Sequence, residues 1–303
     1  MNRRRVVLAG GTGFMGRALS RHFIDNGYEV VVLTRQKRSD EDGLHYVRWD
    51  GRAIGDWVGQ IDGAWGIINL TGRNVDCRYN KRNRRKIYDS RIDSVGVLER
   101  AIQLAKIPPK VWVQTATTAI LGDAGEEICD ETAPEGHGFS PGVARAWEEA
   151  FNWARVDPVR KVLFRVSFVL GRNGGALKRL KLLGRFFLGG AVGTGKQFYS
   201  WIHIDDLCRM YEWAIEHEEI AGLYNATGPG PVRNKIFMQA LRRAIGRPWA
   251  PRAPTFLVKF GCFFLRTEPE LALLGRRCIP KRFQEAGFTF KYPVIENALD
   301  DLI

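Results

Sequence analysis

No apolar run in this 303-residue chain is long enough to cross a bilayer: the most hydrophobic stretch, Phe256–Leu265, is short and interrupted by Lys259. The start, Met1–Arg5 followed by VVLAGG, imitates an export signal, but its apolar run stops in glycines too early to form one. Cysteine is sparse. The five (Cys77, Cys129, Cys208, Cys262, Cys278) are odd in number, scattered, and never in CxxC spacing. Neither a disulfide framework nor a metal site is expected, and reduced thiols in a cytoplasmic compartment are. There is no internal repeat and no low-complexity segment. Acid is in deficit, with 33 Asp and Glu against 46 Lys and Arg and a net charge of +13. The excess gathers at Arg3–Arg5, Arg78–Arg91, Lys178–Arg185 and Arg276–Arg282. These runs lack the interleaved aromatics of an RNA-binding motif and fall in separate elements, which disfavours nucleic acid as a partner. A field that attracts anionic small molecules explains them equally well. The expected partner is a small-molecule substrate, with no membrane.

What is present begins at residue 5. Val6–Ala9 is a short apolar run entering Gly10-Gly11-Thr12-Gly13-Phe14-Met15-Gly16. A helical pattern follows through Ala18, Leu19, Phe23 and Ile24, Gly27 ends it, and Glu29–Leu33 resume as a strand. This is a complete strand–glycine turn–helix–strand unit of the dinucleotide-binding kind. Gly10 permits the tight turn, Gly13 lets backbone amides approach a pyrophosphate, and Gly16 allows the helix to pack closely. Gly10, Thr12, Gly13, Phe14, Met15 and Gly16 are therefore candidate cofactor contacts, aided by the free N–H groups of the helix start.

The end of the second strand selects the nucleotide. An NAD site places an acid there to hold the ribose 2′-OH. This chain has Thr34-Arg35-Gln36-Lys37-Arg38 and no acid before Asp40. A carboxylate would repel a 2′-phosphate, whereas Thr34 and Arg35 can bond one. NADP(H) is the expected cofactor.

Strand and helix patterns alternate down the chain, which predicts an α/β fold with a Rossmann-type, doubly wound parallel sheet. Strands are expected at His45–Trp49, Gly66–Leu70, Val111–Ala116, Val162–Val166 and Gly222–Ala226. Helices are expected near Arg82–Ala105, Pro141–Arg155, Asp205–Glu216 and Lys235–Ala244. Residues 1–170 read as the nucleotide-binding domain, to which later segments contribute. Residues 171–303 read as a smaller mixed substrate-side lobe, with a helical end over about 250–303. Asp123, Glu126, Glu127, Asp130 and Glu131 read as a solvated acidic loop.

Taken together, AGGTGFMG, Ile68-Asn69-Leu70-Thr71-Gly72, Ser90-Arg91, Ala146-Trp147-Glu148, Gly193-Thr194-Gly195-Lys196-Gln197, Ser200–Leu207 and the tail Pro280–Pro293 resemble an atypical branch of the extended short-chain dehydrogenase/reductases, the epimerase family. The resemblance runs end to end. It implies an NADP-binding core and a C-terminal lobe closing over the nicotinamide end. By position, Thr34 and Arg35 should meet the 2′-phosphate, and Leu70 and Thr71 should line the adenine and ribose. Arg91 should reach the phosphates, and Arg165 should lie near the reacting end. The alternative for Arg91 and Arg165 is an ion pair within the protein.

The catalytic signature of the superfamily is missing. Its members use Tyr-x-x-x-Lys with a Ser upstream, and no tyrosine here has Lys four residues on. Phe139-Ser140-Pro141-Gly142-Val143 occupies the tyrosine helix, and Ala116 stands where Ser is usual. Phe and Val transfer no protons. Candidate substitutes are Thr117 and Thr118, which otherwise pack the strand end, and Tyr199. His203 is the fourth, unless it orients a loop by hydrogen bonding. The function expected is an oxidoreductase or epimerase on a small sugar-like or anionic substrate. The alternatives are a non-catalytic NADPH-responsive binding protein, and nucleic-acid binding through residues 78–91. Finally, Gly190–Lys196 imitates an ATPase phosphate loop, but Gln197 follows where a metal-binding hydroxyl is needed.

Overall fold

The computed structural model describes residues 4–172, 174–265 and 268–303. The leading residues Met1–Arg3, including one arginine of the first basic run, lie outside that range. Seven strands form one parallel sheet: β1 (Arg5–Ala9), β2 (Glu29–Thr34), β3 (Leu44–Arg48), β4 (Gly66–Asn69), β5 (Val111–Thr117), β6 (Arg160–Val166) and β7 (Gly222–Ala226). Their spatial order is 7-6-5-4-1-2-3. The order therefore reverses between β1 and β4, and in a doubly wound sheet such a reversal is where a ligand crevice opens at the carboxyl ends of the strands.

Strand periodicity divides the core into two layers. Val6, Leu8, Val30 and Val32 face α1 (Phe14–Asp25) and α5 (Ile204–Glu216), burying Leu19, Phe23, Leu207 and Tyr211. Val7, Ala9, Val31 and Leu33 face the other way. There α2 (Lys81–Leu104) and α3 (Phe139–Trp153) bury Val95, Leu98, Trp147 and Phe151. Both faces are covered, as an all-parallel sheet requires.

After β6 the chain leaves through α4 (Gly175–Arg185), comes back to the sheet as α5 and β7, and leaves again through α6 (Asn234–Ala244) and α7 (Thr255–Leu265). The lobe has its own core. Leu177 from α4, Trp201, Phe237 and Leu241 from α6, and Leu299 from the last helix (Ile295–Leu302) pack together.

The lobe docks on the loop after β5, and here the acidic run differs from the expected solvated loop. Glu131 is buried and accepts the backbone N–H of Asn225 (3.0 Å) and Arg282 (3.3 Å). Glu126 pairs with Arg233 at 2.7 Å and Asp130 with Lys281 at 3.2 Å. The Asp123 carboxylate accepts Gly275 N–H at 3.2 Å. Beside them Arg277–Cys278 add in parallel to Ile128–Cys129. Local sequence could not reveal these partners, which lie about a hundred residues or more away in the chain. The phosphate-loop imitation is a surface turn, followed by a short strand (Phe198–Tyr199) instead of a helix.

Candidate functional site

The glycine turn sits at the sheet's reversal. Gly10 has φ +75°, and a Cβ there would lie 2.8 Å from Thr71 Oγ1, so the β1 turn and the β4 exit touch. A Cβ at Gly16 would collide with the backbone carbonyl of Gly11, so Gly16 lets α1 pack against the turn itself. Gly13 is different: it is exposed, and among the described residues nothing lies within 4 Å of its would-be Cβ. It is also the N-cap of α1, and no side chain caps that end. Free amides therefore face open space. Arg17 pins the turn by donating to the Thr12 carbonyl at 2.8 Å. The side chain of Phe14 lies against glycines 171, 174 and 175, while Met15 packs on the sheet core.

The β4 exit is held by Asn69. Its amide donates to Gln114 (2.9 Å) and Ser94 (3.2 Å), and its carbonyl accepts Thr71 N–H at 3.0 Å. Leu70 N–H bonds Ala9 at 2.9 Å. Among the described residues Thr71 Oγ1 is left buried without a partner, an arrangement that costs stability unless something else fills it.

Arg91, on α2, lies under this loop. A Cβ on Gly72 would be 3.4 Å from its Cζ. Its Nη1 donates to the carbonyls of Ile87 (2.9 Å) and Arg73 (3.3 Å), and its plane covers Trp147 at 4.8 Å. Among the described residues no carboxylate pairs with it, and Nε and Nη2 bond nothing. Burial lowers its pKa to about 10. The structure thus keeps a desolvated cation without a counter-charge beside the crevice, and the ion-pair alternative for Arg91 does not hold. It does hold for Arg165, whose Nε and Nη2 donate to both Glu148 oxygens at 2.9 and 2.8 Å, both side chains being buried. At the end of β2, Thr34 is buried and accepts Gln36 N–H at 3.2 Å, whereas Arg35 is fully available at the surface.

The proton-transfer candidates disperse. Thr117 Oγ1 accepts Ala119 N–H at 3.2 Å and starts a short 3-10 turn, and Thr118 is buried beneath it. Tyr199 donates to the Ala272 carbonyl at 3.1 Å, and burial pushes its phenol up to about 12. His203 caps α5: its Nδ1 accepts Asp205 N–H at 3.1 Å while Nε2 faces Asp301 at 3.3 Å. Its ring stacks on Tyr292, with centroids 3.8 Å apart. That is the loop-orienting role.

A cluster that sequence spacing does not reveal sits where the superfamily's tyrosine helix begins. Tyr79, just before α2, packs against Phe139 at the start of α3, ring centroids 4.7 Å apart. Its buried hydroxyl makes no hydrogen bond among the described residues, with Ser140 and Arg91 nearby. Ser140 in turn donates to Glu270 at 2.6 Å, and Glu268 accepts Tyr79 N–H at 2.6 Å. Burial raises the Tyr79 phenol above its ordinary value, so it is a neutral donor at pH 7. Two glutamates some 190 residues distant complete the group, and no local motif marks them. No group of three or more His, Cys, Asp or Glu gathers as metal ligands among the described residues.

Residues 6–226 match the NAD dependent epimerase/dehydratase family. The chain belongs to that family. Residues 253–302 match a domain of unknown function, DUF1731. The chain is 33% identical to the epimerase family protein YfhF of Bacillus subtilis, covering 98% of this chain and 97% of that one. It is 32% identical to the human epimerase family protein SDR39U1, covering 99% of both. The crystal structure of human SDR39U1 with NADPH superposes with a TM-score of 0.89 at 30% identity over 98% of each chain. A UDP-glucuronic acid 4-epimerase from Bacillus cereus shares the fold at 14% identity, with a TM-score of 0.77.

Proposed function

We propose that this family member is an NADP(H)-dependent oxidoreductase or epimerase-like enzyme acting on a small anionic or sugar-like carbonyl compound or alcohol. The carrying observation is the crevice at the β1–β4 reversal. It joins an open, uncapped helix start at Gly13, the unpartnered Thr71 hydroxyl, and Arg91 without a counter-charge. Each of these groups is unfavourable alone and favourable beside a pyrophosphate. Gly10, Thr12, Gly13, Phe14, Met15 and Gly16 would hold the diphosphate through their backbone. Leu70 and Thr71 would border the adenosine, and Thr34 and Arg35 would take the 2′-phosphate. The human relative's NADPH supports this choice. With Nε and Nη2 engaged by Glu148, Arg165 would act by holding α3 against β6. Five free cysteines suit a reducing compartment, such as a cytoplasm.

When bound, the nicotinamide would supply hydride chemistry. The chain's part is to place the substrate oxygen and move a proton to it. Tyr79 is the donor we assign, standing against the helix start from which the superfamily's tyrosine acts. Ser140, which donates to Glu270, stands near the Tyr79 hydroxyl, and a proton taken from solvent by Glu270 would pass through Ser140 to restore the phenol. Thr117 and Thr118, at the end of β5, border the same region. Fluorescence titration with NADPH and NADH tests the first half: NADPH should bind more tightly, and Arg35→Ala should erase the preference. Equal binding of the two nucleotides would overturn it. Carbonyl-dependent oxidation of NADPH tests the second half. Tyr79→Phe should remove turnover and leave NADPH affinity intact.

A second reading is a non-catalytic NADPH-responsive binding protein. It is favoured by the missing tyrosine–lysine pair and by the ion-paired docking of the lobe. Any substrate-dependent oxidation of NADPH removes it. Nucleic-acid binding through residues 78–91 is weakened but keeps the exposed Lys81, Arg82 and Lys86; the other bases of the run have partners within the protein or are buried. Arg78 donates to Phe263 and Arg84 to Tyr79, Arg85 pairs with Asp89, and Arg91 is buried.

A further inference from the structure

The positive charge has a place. Between Asp157 and Asp205, and again between Glu219 and Glu268, the sequence contains no acid, and these two stretches hold seventeen Lys and Arg. Elsewhere acids outnumber bases, 33 against 29. The two acid-free stretches supply α4 and α7, which lie on one side of the lobe. The loop after α4 bonds the chain entering α7, through Gly193 N–H to Ala253 at 2.8 Å. At the other end, Arg78 donates to Phe263 of α7 at 2.6 Å, while its near neighbour Asp76 pairs with Arg179 of α4. Both helices therefore border the 76–78 loop that leads to Tyr79.

This side is apolar as well as basic. Phe256, Phe260, Phe263 and Phe264 on α7 are 61–68% exposed, and Phe186 and Leu188 after α4 are 69% and 60% exposed. Lys178, Arg185, Arg252 and Lys259 are exposed among them, and none has a carboxylate partner among the described residues. A soluble surface does not gather large aromatics this way without an occupant. A second copy of the chain meeting this face symmetrically would set the cations against themselves. Nucleic acid would use the cations and leave the phenylalanines in water.

We propose that this face docks peripherally on an anionic lipid bilayer. Phenylalanine and leucine enter the headgroup boundary, and Lys and Arg meet the lipid phosphates and carboxylates. The 76–78 loop then lies beside the membrane surface, which suits an amphiphilic substrate. Such docking would depart from the expectation of no membrane partner, by surface contact without a span. Among the described residues, no helix is long and apolar enough to cross a bilayer.

The test is flotation of the full chain with phosphatidylcholine vesicles and with phosphatidylcholine–phosphatidylserine vesicles. Binding should require phosphatidylserine and weaken about fivefold for each of Lys259→Ala and Arg185→Ala. The pair Phe260→Ser and Phe264→Ser should lose flotation by at least about tenfold. These side chains are exposed, so an unchanged melting curve shows the fold intact. Absence of flotation with phosphatidylserine at low salt overturns the proposal. So does flotation unchanged by the Phe substitutions. Equally, binding to a DNA or RNA duplex without vesicle binding would assign the face to nucleic acid, and a dimer abolished by Phe260→Ser would assign it to a second copy.

Discussion

Replacing Arg91 by methionine separates a ligand-directed charge from a structural one. In the free protein the guanidinium is buried against Trp147 with two backbone carbonyls and no carboxylate. Burial brings its pKa down to about 10, a desolvation cost on the order of 3 kcal/mol. Methionine fills similar volume without that cost and forfeits only the two hydrogen bonds, about 1.5–3 kcal/mol each at most. The variant should therefore melt within a few degrees of the parent. Towards NADPH the change should be large, because a charge-assisted bond to phosphate is worth about 1.5–3 kcal/mol, or roughly ten- to a hundredfold in Kd. Thermal melts without nucleotide, paired with fluorescence titrations, read the two effects independently. A variant that unfolds readily yet binds NADPH with parental affinity would refute the reasoning and make Arg91 a support for the 72–73 loop.

Arg165→Met should behave oppositely, leaving the Glu148 carboxylate buried alone and lowering urea stability by about 3–5 kcal/mol. Adding Glu148→Leu should restore most of that, and a loss below about 1 kcal/mol for the single variant would discard the argument. His203 caps α5 only while its Nδ1 is unprotonated, and burial lowers its pKa against the opposing pull of Asp205, Asp301 and Asp206. The unfolded chain takes up this proton near pH 6.5 and the folded chain only below it, so the stability is complete above that pH and is lost as pH falls. His203→Asn keeps a cap and should flatten the urea midpoint between pH 7 and 5; an unchanged slope excludes His203 as its source. Gly16→Ala forces a methyl against the Gly11 carbonyl and should cost about 1–3 kcal/mol together with NADPH affinity. A stable variant with parental affinity would show that the turn yields without consequence.

Much of the core was legible because its signals are local. The glycine turn, the apolar runs of β1, β2 and β4, and the helical period of α2 are written in neighbouring residues, and backbone sterics and burial periodicity read them directly. The absence of an acid after β2 and of lysine four residues after any tyrosine is equally plain. Boundaries moved by a residue or two, as at Phe139–Trp153, where the helix starts ahead of Pro141 because proline suits a first turn.

Tertiary structure decided what the charges do. Arg91 and Arg165 look alike in sequence; only the fold brings Glu148 to one of them and leaves the other without a counter-charge. His203 could serve as acid–base or as cap, and the fold supplies the cap's partner by presenting Asp205 N–H to its ring at the start of α5. The acidic loop became a dock because Asn225, Arg233, Gly275 and Arg282 arrive from far along the chain. Tyr79, Ser140 and Glu270 became neighbours for the same reason. Local sequence determines which backbone shapes and which buried faces are affordable. Which ionisable group is paired, desolvated or open depends on contacts across the whole chain, and chain closure alone sets those.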